Sequence, residues 1–132
     1  MIDYVKGLDM SLFVYDYDHN APSVEHLKNT HEKMFLAIRN AHPDLPIIMM
    51  SRPKKVRTEE ENIRMQIIKT TYQNAKDRGD KYVYMLDGDE LTALCGQDGT
   101  VDWSHPTDFG FASMAMALTD LIDKEKLIEL LK

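Results

Sequence analysis

The chain has 132 residues, 43% hydrophobic and 29% charged, and a formal net charge of -6. That length allows one domain with one core, and the acidic balance argues against a nucleic-acid partner, which a basic face would draw. Cys95 is the sole cysteine, which excludes an intramolecular disulfide and a cysteine metal cluster and suits a small buried thiol. No run is long and apolar enough to span a bilayer. The opening Met-Ile-Asp-Tyr-Val-Lys-Gly-Leu lacks the basic-then-apolar pattern of a signal peptide, so a genuine start there reads as cytoplasmic.

In chain order, the first apolar run is residues 12–15, followed by the polar cluster Asp16-Tyr17-Asp18-His19-Asn20-Ala21-Pro22. A run of this length, apolar on both faces and ended by polar residues, reads as a strand buried within a parallel sheet. With Ser23 as N-cap, Val24, Leu27, His31, Met34, Phe35 and Ile38 then recur at helical spacing. The second run, residues 47–50, leads into Ser51-Arg52-Pro53. The basic stretch 52–57 that it enters is followed at once by Glu59, Glu60 and Glu61, and reads as a solvated loop. Thr58 and Glu61 have capping-box spacing and open a helix that closes near Gly79, with a stripe of Ile63, Ile67, Ile68, Thr71, Tyr72 and Ala75. The third run, residues 82–86, ends in Asp87-Gly88-Asp89-Glu90, from which a loop leads to Asp102-Trp103-Ser104-His105-Pro106. A helix is expected from about 107 to 122, with Phe111, Met114, Ala115, Leu118 and Leu121 on one face. A short last helix carries Leu127, Ile128 and Leu131. His19, His26, His31 and His42 show no metal-site spacing and read as helix and loop residues.

The order β-α-β-α-β-loop-α implies right-handed crossovers and a parallel sheet. Three strands are few for an open sheet of that kind. Ligands of such sheets bind beyond the carboxyl ends of the strands, so the polar residues there are the candidates for chemistry. Asp102 and His105, three apart just before a helix, can pair through one imidazole nitrogen and leave the other free as a base. A loop salt bridge or a helix cap has the same spacing.

The block Asp102-Trp-Ser-His105-Pro-Thr-Asp-Phe-Gly110-Phe-Ala-Ser-Met-Ala115 resembles the last signature block of the SGNH/GDSL hydrolases, in which the Asp and His belong to the catalytic triad. The first cluster, Leu12-Phe-Val-Tyr-Asp-Tyr-Asp18-His-Asn20-Ala-Pro, resembles the family's third block, where an Asn amide serves the oxyanion hole. It lacks that block's Gly and trailing Asp. The resemblance covers the back half of the family's pattern only. The Gly-Asp-Ser block with the nucleophile and the block whose Gly adds an oxyanion N–H are both absent. Of Ser11, Ser23, Ser51, Ser104 and Ser113, none follows a strand in that context, so no nucleophile is assigned.

The resemblance implies a flavodoxin-like three-layer α/β/α sandwich, with residues 1–132 as the C-terminal portion of a single hydrolase domain truncated to about three strands. It implies a serine esterase or acylhydrolase acting on small acyl esters, with His105 as general base and then acid, Asp102 as its orienting partner and Asn20 as oxyanion donor. Ser51 and Arg52 would support the site. The chemistry needs no metal or organic cofactor, and the chain alone would be inactive. The first strand would present an edge at which copies associate into a homo-oligomer. A rival reading is a haloacid-dehalogenase-type Mg²⁺-dependent phosphatase, whose pattern Asp16 and Asp18, then Ser51, then Asp87 and Asp89 imitate. A non-catalytic interaction module is the third.

Overall fold

The computed structural model describes residues 2–131, without the side chains of the last two of them. Its elements are α1 (Ile2–Lys6), β1 (Phe13–Asp16), α2 (Val24–Ala41), β2 (Ile47–Met50), α3 (Glu59–Asp77), β3 (Val83–Leu86), α4 (Gly88–Leu91), α5 (Asp108–Lys124) and a final 3-10 helix (Leu127–Leu131). The three strands lie parallel in the order β1-β2-β3, with Phe13 opposite Ile47 and Ile47 opposite Val83. The expected α/β/α layering is present, built on the period-two alternation of the strands. Tyr15, Ile47, Met49 and Val83 face α2 and α3, where Met34, Phe35, Ile38, Ile68 and Ala75 complete one buried cluster. Ile48, Met50 and Leu86 point the other way, against Leu91, Leu127 and the half-buried Met114, Leu118 and Leu121 of α5.

Helix starts follow the sequence closely. The side chain of Ser23 accepts the His26 N–H to begin α2, and Thr58 and Glu61 form a full capping box on α3. Such caps contribute about 1 kcal/mol each. Asp87 and Glu90 repeat the same box at the start of α4, where the sequence reading placed only a polar cluster. The short α1 was likewise not expected. Its Lys6 carbonyl bonds with His42 Nε2 (2.8 Å) at the end of α2.

Helix faces differ from expectation in two places. On α3, Ile63 is exposed, and the buried positions are Glu61, Arg64, Met65, Ile68, Thr71 and Ala75. The face is displaced because a polar residue, Arg64, occupies the layer next to the β1 turn. On α5, Phe111 and Ala115 face solvent, and Gly110 and Ser113 are buried. The start of α5 presses against Gly99, so the face that needs small residues turns inward. A Cβ on Gly110 would stand 2.1 Å from the Gly99 carbonyl oxygen. In the final turn Leu127 is buried and Ile128 exposed, and the side chain of Leu131 lies outside the described residues.

Candidate active site

All the candidate residues gather at the carboxyl edge of the sheet. The loop ahead of α5 is closed on itself by a Thr100–Pro106 bridge, by the Val101 N–H on the His105 carbonyl (3.0 Å) and by the Thr107 N–H on the Gly99 carbonyl (2.9 Å). Trp103 at its tip has φ 66°. A bulky residue in the left-handed region is uncommon and clusters at functional loops. That conformation reverses the chain so that Asp102 Oδ1 accepts the backbone N–H groups of Ser104 (3.0 Å) and His105 (2.7 Å). Asp102 Oδ2 lies 2.6 Å from His105 Nδ1.

The His105 backbone N–H, then its ring, pull the Asp102 pKa down to about 2. An ionised carboxylate only accepts, so Nδ1 carries the proton of this contact, and in the neutral imidazole Nε2 then keeps the lone pair. Both side chains are more than half exposed, at 74% for His105 and 51% for Asp102. The imidazole is thus open to solvent on this edge.

Asn20 sits in the turn that follows β1. The turn and the loop are in contact: Ser104 Oγ lies 3.0 Å from His19 Nε2, and the rings of His19 and His105 are 6.4 Å apart. His19, read in the sequence only as a loop residue, is therefore the bridge between the two halves of the site. Burial first, then the Arg52 charge, lowers its pKa, which keeps the ring neutral near pH 7. Asp16, at the end of β1, has its pKa raised, chiefly by desolvation and then by Asp18.

Asp18 is fully buried and committed to arginines. Arg64 Nε donates to its Oδ1 at 2.9 Å, and the Arg52 backbone N–H donates to its Oδ2 at 3.0 Å. A carboxylate so enclosed has no lone pair turned to solvent for phosphorus or a cation, which removes one of the two aspartates of the phosphatase reading; the other, Asp16, is exposed. Arg64 was missed because a charged residue is not expected in a core. Its spacing to Ile68, Thr71 and Ala75 placed it on the buried face.

The basic stretch is not a solvated loop. Lys54 (2.7 Å) and Arg52 (3.3 Å) share Glu61 Oε1, and Arg57 bonds with Asp89 (2.9 Å) and the Lys54 carbonyl (2.5 Å). Only its middle, Lys55 and Val56, is exposed. Burial alone would raise the pKa of Glu61, but the bonds from Lys54 and Thr58 overcome it and bring it down to about 2. The enclosure is tight enough that a Cβ on Gly88 would meet the Arg52 carbonyl oxygen at 2.4 Å. Ser51 is buried, with its Oγ lacking a hydrogen-bond partner.

The family's sequence profile matches residues 1–123. The chain belongs to the GDSL-like lipase/acylhydrolase family. Among solved structures it is similar to a protein of Bacteroides ovatus described as a GDSL-like lipase, with a TM-score of 0.78 and 24% identity, over 94% of this chain and 38% of that one. It is also similar to a salicylyl-acyltransferase from a tetracycline biosynthetic pathway, with a TM-score of 0.71 and 14% identity, over 93% of this chain and 40% of that one. At such identities the likeness is one of fold. The chain spans about two fifths of the length of either structure. No curated protein matches its sequence. Among the described residues of this GDSL-like chain, no helix is long and apolar enough to cross a membrane.

Proposed function

We propose that this GDSL-like chain is the acid–base portion of a serine ester hydrolase, residues 1–132 forming the C-terminal part of one hydrolase domain. The observation that carries the reading is the 2.6 Å contact between Asp102 Oδ2 and His105 Nδ1, which leaves Nε2 free beside the turn that holds Asn20. In this mechanism His105 Nε2 removes the proton from an attacking serine hydroxyl and returns it to the departing alcohol. It then activates water to release the acyl group. Asp102 holds the tautomer and favours the imidazolium, and the Asn20 amide donates to the oxygen on which charge develops. Arg52 supports the turn from the end of β2 through its backbone N–H on Asp18, and the buried Ser51 packs beneath that strand end.

The serine comes from outside these residues. Ser23 caps α2, Ser113 links α5 to Leu91 (2.8 Å), Ser51 is buried, and Ser11 precedes β1 on the amino side of the sheet, while Ser104, whose Oγ lies 3.0 Å from His19 Nε2, sits next to His105 in the same loop and follows no strand in a Gly-Asp-Ser context. The substrate class is a small acyl ester.

The test compares the natural gene product with the 132-residue chain on p-nitrophenyl acetate. The former should turn over and lose nearly all activity on His105→Ala. The latter should neither turn over nor take up a fluorophosphonate. A fluorophosphonate-labelled serine within this chain would overturn the assignment.

A further inference from the structure

We propose that Arg64 is the positioning residue of this site: its buried guanidinium sets the turn that carries His19 and Asn20 and so places the donor amide relative to His105. The inference rests on Asn20 being the oxyanion donor of the proposed reaction. One planar group holds the turn at both ends. Nε donates to Asp18 Oδ1 at 2.9 Å, and one terminal nitrogen donates both to the Asp18 carbonyl and, at 2.7 Å, to the Ala21 carbonyl. Those two carbonyls bracket His19 and Asn20. The other terminal nitrogen points toward Glu60, 3.7 Å away.

The turn has little else to define it. Its own backbone bonds are long: the N–H groups of Asn20 and Ala21 each lie 3.2 Å from the Tyr17 carbonyl, and that of Ala21 lies 3.3 Å from the Asp18 carbonyl. The fork of Arg64 supplies what they lack, because its donors are fixed in one plane. The Arg52 N–H on Asp18 Oδ2 (3.0 Å) then ties the same carboxylate to the end of β2. The arrangement is a poor choice for stability alone. The Arg64 and Asp18 side chains are only 2% and 0% exposed, and an apolar pair of similar volume is often as stable as a buried ion pair or more so. What the ion pair provides is a defined geometry for four consecutive residues. The His19–Ser104 bond carries that geometry on to the loop of His105.

Arg64→Ala would strand a buried carboxylate and put folding at risk, so the test uses Arg64→Lys and the double variant Asp18→Leu/Arg64→Met. Lysine keeps the charge but cannot reach all three acceptors. Amide hydrogen exchange is measured by NMR on the 132-residue chain, and kcat and KM on the ester-cleaving gene product. In Arg64→Lys the amides of Asn20 and Ala21 should exchange on the order of ten times faster while those of Ile38 and Ile48 keep their rates. In both variants kcat should fall by about 10- to 100-fold with KM nearly unchanged, the pattern of a donor that acts only in the transition state. Unchanged exchange at Asn20 and Ala21 in Arg64→Lys overturns the role of Arg64 and leaves the esterase reading standing. A loosened turn with kcat intact, and Asn20→Ala equally active, overturns the oxyanion reading and the positioning role with it.

Discussion

Asp102 grips His105 twice, through the ring at Nδ1 (2.6 Å) and through the backbone N–H (2.7 Å). One carboxylate thus fixes both the orientation of the imidazole and the path of the chain that carries it. Asp102→Asn separates the two tasks. The amide oxygen can still accept the backbone N–H, so the loop keeps its course. The amide nitrogen would face Nδ1 and impose the opposite tautomer, which removes the free lone pair at Nε2. Turnover of the natural gene product should fall about 10³-fold or more with KM little changed. Steady-state kinetics on p-nitrophenyl acetate check this, and a rise in KM with kcat intact would contradict it.

The core holds a second imidazole with a different duty. His31 is fully buried, stacked on Tyr15 at 4.4 Å, with Nδ1 2.9 Å from Thr71 Oγ1 and Nε2 unpaired. Burial lowers its pKa from 6.5 to about 4, against a weaker opposing pull from Asp18. Because the folded value lies below the unfolded one, the unfolded chain binds the extra proton between those limits. Stability is therefore whole above pH 6.5 and is lost as pH falls toward 4, by roughly 3 kcal/mol over the window. Urea unfolding at a series of pH values should show that slope, and His31→Gln should flatten it.

These two histidines show what the sequence disclosed and what it hid. Asp102 and His105 lie three apart in one loop, so their pairing was legible as spacing. So were the strands, which the apolar runs located to within a residue, and the caps at Ser23 and Thr58. The Asp18–Arg64 pair spans 46 positions, and nothing local announces it. The same holds for His19 and Ser104, 85 apart. Helix periodicity finds an apolar face, and it fails at Ile63 and Phe111 because polar or small residues took the buried positions beside the site.

Gly110 makes the closeness of loop and helix testable. In an ordinary helix Gly→Ala is favourable by up to about 1 kcal/mol. Here the added methyl would lie 2.1 Å from the Gly99 carbonyl oxygen and 3.2 Å from Pro106 Cβ. Backbone cannot swing aside as a side chain can, so the loop bearing His105 must shift. Gly110→Ala should cost about 1–3 kcal/mol in thermal or urea unfolding and reduce kcat. A variant as stable and active as the parent would mean that the loop yields freely.

The last prediction concerns the open side of the sheet. β1 pairs with β2, and among the described residues no strand lies on its other side. Val14 and Asp16 are exposed on the face whose continuation, at Ile48 and Met50, is covered by α5 and the final turn. The helical layer thus stops one strand short and leaves an apolar side chain next to unpaired backbone groups. Such an edge invites another strand. We propose that the 132-residue chain associates there with a second copy of itself. Sedimentation velocity should show a dimer or larger species at tens of micromolar. Val14→Lys places a charge on the open face without touching the buried residues, and should shift the population to monomer while circular dichroism stays unchanged. A parent chain that sediments as a single monomer at every concentration would exclude association at β1. A dimer that survives Val14→Lys intact would place the contact elsewhere.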